Sequence, residues 1–167
     1  DWFSSKLSQV IEEVNDLFTK YRLSEALMTV YKLFWDEFSS WYLELVKPAY
    51  GQPIDKKTYD ATLGFFDSLL RILHPFMPFI TEEIFCTLKE AEGTLEQNES
   101  IMISEWPTFC ECRNYAAEEE AIESIKEAVK AIRNVRTTMN VPPSKKAAVF
   151  VVSEEAAVRD TFENSKL

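Results

Sequence analysis

Glycine is almost missing from this chain: only Gly51, Gly64 and Gly93 occur in 167 residues, far from one another. That scatter excludes a phosphate-cradling P-loop and a dinucleotide fingerprint, both of which need closely spaced glycines. It also favours long helices over a turn-rich β fold. Histidine occurs once, as His74, and cysteine three times, as Cys86, Cys110 and Cys112. The Cys110-Glu111-Cys112 spacing is wrong for a zinc knuckle, so no metal site is expected. An odd number of cysteines without a secretory signal points to reduced thiols and a cytoplasmic location. No run of about 18 apolar residues is present to span a membrane, and the amphipathic N-terminus lacks the compact apolar stretch of a signal peptide. Asp1-Trp2-Phe3 starts almost inside a helical pattern and without Met, so a position within a longer protein is expected. Positive charge is scarce as well: 18 Lys and Arg face 28 Asp and Glu, a net charge of −10. That balance argues against non-specific nucleic-acid affinity and against DNA as a partner. Any RNA contact must be local, made by a few basic and aromatic side chains.

What is abundant is apolar and aromatic surface, at 46% and 13% of residues. Aromatic side chains of this kind dominate cores and contact surfaces. Phe3, Leu7, Val10, Ile11, Val14, Leu17 and Phe18 recur at helical spacing and predict a first helix. Ser24 can cap a second that runs to about Val46, stopping before Lys47-Pro48. Its expected core stripe is Leu23, Leu27, Val30, Phe34, Phe38, Trp41 and Leu45, but Met28, Trp35, Tyr42 and Leu43 project from the other side. Asp55 opens a third helix carrying Tyr59, Leu63, Phe66, Leu70 and Leu73. His74-Pro75-Phe76-Met77-Pro78 interrupts it, with Pro78 suited to the first turn of a short fourth helix. Beyond a polar linker, Ile101-Met102-Ile103 and Ala147 to Val152 predict short strands, Glu118 to Thr138 a long helix and Glu154 to Asn164 a last one. The fold class expected is mainly α: a helical bundle over residues 1–92, then a connector, a long helix and a partial, small α/β appendage over 93–167.

Catalytic chemistry would show as a nucleophile with its base, a metal cluster or a phosphate cradle. None is legible, and no catalytic residue is assigned. His74 at a helix break reads as a capping or core residue, and Glu82-Glu83 and Glu118-Glu119-Glu120 read as acidic helix starts that complement the helix dipole. Two surfaces remain. The second face of helix two, with Lys32, Trp35, Asp36, Ser39, Tyr42 and Leu43, either packs against further polypeptide or meets unstacked bases. On the long helix Lys126, Lys130 and Arg133 fall at i, i+4 and i+7, followed by Arg136, Lys145 and Lys146. These residues either pair with Glu123 and Glu127 or face phosphates.

Three stretches resemble one family. Phe34-Trp35-Asp36-Glu37-Phe38-Ser39-Ser40-Trp41-Tyr42-Leu43-Glu44, running on to Lys47-Pro48, is similar to a helix of the valyl-tRNA synthetases. Leu73-His74-Pro75-Phe76-Met77-Pro78-Phe79-Ile80-Thr81-Glu82-Glu83-Ile84 resembles a segment of the same class I enzymes, with Phe85 where that family usually carries Trp. Ile132-Arg133-Asn134-Val135-Arg136 and Met139-Asn140-Val141-Pro142-Pro143 resemble the segment that follows, and Glu105-Trp106-Pro107 the connector. The second stretch recurs more loosely in leucyl and isoleucyl enzymes, so the same domain of one of those is an alternative. A helical protein-interaction module is another.

The resemblance implies the C-terminal anticodon-binding region of a valine–tRNA ligase, in which a family helix would precede Asp1. It implies no cofactor in this stretch itself, ATP and magnesium for the parent enzyme, and tRNA(Val) and the remaining domains of the same polypeptide as partners. By residue it implies tRNA contacts at Leu43 first, then Tyr42, Ser39 and Asp36, with Arg133 and Arg136 as backbone contacts. The ATP-site signatures and the editing domain of the family have no counterpart in the sequence.

Overall fold

A ring of aromatic side chains closes around Phe3, whose centroid lies 5.3 Å from that of Phe38, 5.0 Å from Tyr42 and 5.1 Å from Phe65. The computed structural model describes residues 1–96, 99–142 and 144–164. Helix α1, Trp2–Thr19, buries Phe3, Leu7, Ile11, Val14 and Leu17, steps of three and four that leave its charged residues outward. A turn through Tyr21, which takes the left-handed conformation at φ 57°, reverses the chain. A rod follows, with α2 at Leu23–Lys32, a π-helical segment at Leu33–Tyr42 and α3 at Leu43–Val46.

Helix α4, Lys56–Leu73, begins at Asp55, whose side chain accepts from the Thr58 amide at 2.9 Å. The Thr58 side chain and amide together hold the Asp55 carboxyl below the ordinary range. Helix α5, Pro78–Glu92, starts on proline as expected and ends at Gly93, left-handed at φ 69°. There the Gly93 and Thr94 amides return to the carbonyls of Glu90 and Lys89, a closure that a Cβ would strain. The break between α4 and α5 is tied by His74: its Nδ1 lies 2.7 Å from the fully buried Thr81 hydroxyl. That hydroxyl gives its own proton to the Met77 carbonyl at 2.8 Å, so His74 must carry its proton on Nδ1. His74, expected as a capping or core residue, is half-buried and ties the helix break through this side-chain bond.

Leu70 and Phe85 pack with Ile101, flanked by Phe66, Ile84 and Leu88, and so bring the connector onto the bundle. Here the structure departs from the sequence expectation. Ile101–Ile103 is a single 3-10 turn rather than a strand. Glu82 causes it, because its Oε2 accepts from the Ser100 hydroxyl at 2.9 Å and the Ile101 amide at 3.2 Å. Glu82 is thus a clamp across 18 residues, and the helix-start role expected for it is corrected: α5 begins at Pro78 and carries no acid in its first turn. Burial, then a hydrogen bond to the same carboxylate, push the neighbouring Cys86 thiol above its ordinary range. Glu82→Ala should loosen the connector by about 1.5–3 kcal/mol, the range for hydrogen bonds to a charged acceptor. Faster amide exchange at Ile101 is the expected readout, and unchanged protection would contradict the clamp.

Contacts divide the chain into two compact units, Asp1 with Phe3–Asn114 and Trp2 with the chain from Tyr115 onward. In the second, α6 spans Ala116–Thr138 and α7 Ala156–Asn164. The α/β appendage expected there is corrected to a helical one: no strand occurs among the described residues. Ala147 to Val152 is devoid of helix, and Phe150 is 87% exposed. β-branched residues favour an extended backbone, but a strand also needs a neighbour to pair with. A second correction concerns the thiols: Cys110 and Cys112 form a disulfide, with Cα atoms 5.2 Å apart, well within bridging distance. Cys86 is free.

Candidate functional site

Half of the ten residues in Leu33–Tyr42 are aromatic: Phe34, Trp35, Phe38, Trp41 and Tyr42. A π-helix closes its hydrogen bonds from i to i+5 and is wider per turn than an α-helix, a form often found at functional sites. The Ser40 hydroxyl reinforces it by donating 2.8 Å to the Trp35 carbonyl, five residues back. The buried positions of the rod are Ala26, Val30, Leu33, Phe38 and Tyr42, so the inward steps run four, three, five and four. An α-helical stripe would have continued through Phe34, Phe38, Trp41 and Leu45. The step of five from Leu33 to Phe38 carries the stripe onto Tyr42 instead.

Tyr42 therefore does not lie where the sequence placed it. It is 8% exposed, stacks on Phe38 at 5.4 Å and meets Phe65 edge-on at 5.4 Å. Its hydroxyl is 3.0 Å from that of Thr62, which donates to the Thr58 carbonyl, so Tyr42 is the donor. This ring is a core member.

The outward face keeps the remaining candidates. Leu43 is 37% exposed, Ser39 is half-buried, and Asp36 is exposed. Asp36 also lines an open groove of about 320 Å³ with Lys6, Glu13 and Lys32. Above them sits a pair that sequence reasoning took only in part: Trp35, 57% exposed, stacks nearly parallel on Tyr31, 50% exposed, with centroids 6.4 Å apart. Tyr31, Trp35, Ser39 and Leu43 are four residues apart, a spacing that keeps them on one side of the rod. The signal for Tyr31 was available in that spacing, because residues four apart share a helix face.

The basic stripe is thinner than expected. Lys126 is 2% exposed, with its ammonium 2.8 Å from Glu123. Arg136 reaches the carbonyls of Pro142 at 2.7 Å and Lys145 at 2.6 Å, and so holds the turn after α6. Its guanidinium is engaged by backbone, as Arg suits through its forked donors. Pro143, inside that turn, lies outside the described residues. Lys130 and Arg133 on α6, and Lys145 and Lys146 after it, are exposed. Among the described residues no group of three or more His, Cys, Asp or Glu could hold a metal ion, and no helix is long and apolar enough to cross a membrane.

Against known proteins, the family described as the anticodon-binding domain of tRNA ligase matches residues 1–151. The chain belongs to that family. This anticodon-binding domain is 52% identical over 153 residues to the valine–tRNA ligase of Parabacteroides distasonis, covering 92% of the chain and 17% of the relative. It is 41% identical over 169 residues to that of Clostridium tetani, covering 99% of the chain and 18% of the relative. The valine–tRNA ligase of Christiangramia forsetii is 37% identical over 155 residues, 93% of the chain and 17% of the relative. The domain thus spans less than a fifth of the length of these relatives.

Proposed function

We propose that this domain binds tRNA(Val) for a valine–tRNA ligase and presents the tRNA to aminoacylation chemistry housed in other domains of the same polypeptide. The observation that supports the reading is the exposure of Trp35 and Leu43 beside half-buried Ser39, while Tyr42 turns into the core. Bases splayed from a tRNA loop have flat apolar faces and polar edges. Trp35 and Leu43 suit the faces, and Ser39 and Asp36 suit the edges. Arg133 is the proposed backbone contact on α6, and Arg136 supports it by fixing the turn that follows. In this reading ATP and magnesium act in the ligase's other domains, and the protein works in the cytoplasm.

The test is Leu43→Ala in the full-length ligase. Losing roughly 1 kcal/mol of apolar contact should lower kcat/KM for aminoacylation about fivefold. ATP–pyrophosphate exchange with valine should stay unchanged. If both fall together, Leu43 serves the fold and not the tRNA. A protein-docking module would instead show no preference for tRNA(Val) over an unrelated RNA.

A further inference from the structure

We propose that Cys110 and Cys112 form a thiol–disulfide exchange site for a small thiol of the glutathione class, and that its redox state sets how firmly the connector docks on α1. The pair is joined, yet only two positions apart in sequence. A disulfide stabilises chiefly by restricting the unfolded chain, and its effect shrinks with the loop it closes. A loop this short makes a poor staple, so stability does not explain the bond. Accessibility points to exchange: Cys112 is exposed, and a cleft of about 140 Å³ lined by Ser8, Gln9 and Glu12 opens beside Cys110. The cleft admits a small reagent and no folded protein.

Cys110 is the anchored member. Its amide donates to the Ser8 hydroxyl at 3.0 Å, and that hydroxyl donates to the Cys110 carbonyl at 3.2 Å. Ser8 is itself buried on α1. The amide and the carbonyl of Cys110 are thereby both fixed to the bundle across 102 positions of sequence. Upstream, the Trp106 indole donates to Asn15 at 2.8 Å, a second tie between connector and α1. The disulfide extends this anchoring to Cys112, and its reduction leaves the residues after Cys110 held by backbone alone.

The chemistry balances with a named co-reactant. For oxidation, the Cys112 thiolate attacks a glutathione-type disulfide, forming a mixed disulfide and releasing one thiol. The Cys110 thiolate then attacks the Cys112 sulfur, closing the ring and releasing the second thiol. The two protein thiols lose two protons and two electrons in total, and one small disulfide becomes two small thiols. Reduction runs the same steps backward, entering at the exposed Cys112 sulfur.

The test equilibrates the 167-residue chain with mixtures of reduced and oxidised glutathione, quenches with acid, unfolds and alkylates, and measures intact mass. Excess oxidised glutathione should leave one alkylatable thiol, Cys86, and excess reduced glutathione should leave three. Cys110→Ser, which retains the backbone bonds to Ser8, should trap a stable glutathione adduct on Cys112. Amide exchange at Cys110 should be at least severalfold slower in the oxidised form. Three alkylatable thiols under oxidising conditions, or no adduct on the variant, would overturn the exchange site. Equal exchange rates at Cys110 in both forms would overturn the coupling to α1.

Discussion

Trp35→Ala in the full-length ligase should weaken tRNA(Val) binding by about 5- to 150-fold, the equivalent of roughly 1–3 kcal/mol for one stacked base. The size of the effect rests on what the indole does in the absence of RNA. It is more than half exposed, and its ring partner is Tyr31, which is half exposed itself. Removing it opens no cavity in the core, so unfolding should move by no more than about 0.5 kcal/mol. A large loss of affinity with an intact fold would then belong to the contact. Trp35→Phe keeps a flat face and should recover most of the binding. Salt separates this residue from the basic stripe. A stacking contact survives added salt, whereas Arg133→Ala should reduce the slope of log affinity against log salt by about one unit, as expected for one phosphate contact. Titration of labelled tRNA at several salt concentrations gives both results. Unchanged affinity in Trp35→Ala would remove the outward line from the proposal.

The sequence made the bundle readable because the features that dictate it are local. Apolar steps of three and four set α1, Asp55 sets the start of α4, and Pro78 and Gly93 bracket α5. The π segment was not readable, because an aromatic run such as Phe34-Trp35 or Trp41-Tyr42 offers a large side chain whichever way the rod turns. Its hydrogen-bond register is settled by the rings of Phe3, Phe65 and Phe66, which belong to other helices. The same reason hid the role of Glu82: in the sequence it looks like a helix-start acid, and only the folded-back connector shows it as a clamp on Ser100. Charge spacing on α6 suggested three aligned cations with Arg136 following, yet Lys126 is withdrawn from water and Arg136 is tied to its own turn. Spacing fixes the face on which a side chain starts, and the partner it finds decides whether it remains there. Leu43 and Asp36 stayed exposed and Ser39 half-buried, and their role in binding tRNA is the proposal to be tested.

Tyr42→Ala should destabilise the first unit by about 3–5 kcal/mol, the usual cost of removing a buried aromatic ring. The ring lies against Phe3, Phe38 and Phe65, so its loss leaves a void that three elements cannot close without moving. For a unit of about 100 residues, each kcal/mol shifts Tm by roughly 4–8 °C, which makes the expected change plain in a melt followed by aromatic near-UV dichroism. Tyr42→Phe discriminates between core and contact. It keeps the ring and removes only the hydrogen bond to Thr62, for about 1 kcal/mol of stability. If the residue is core, Tyr42→Phe should bind tRNA(Val) with unchanged affinity below its melting temperature. A residue that reads RNA through its hydroxyl would behave oppositely, losing affinity at nearly constant stability. A tenfold loss of affinity in a variant whose Tm has hardly moved would return Tyr42 to the RNA-contact face and displace the π-register argument with it.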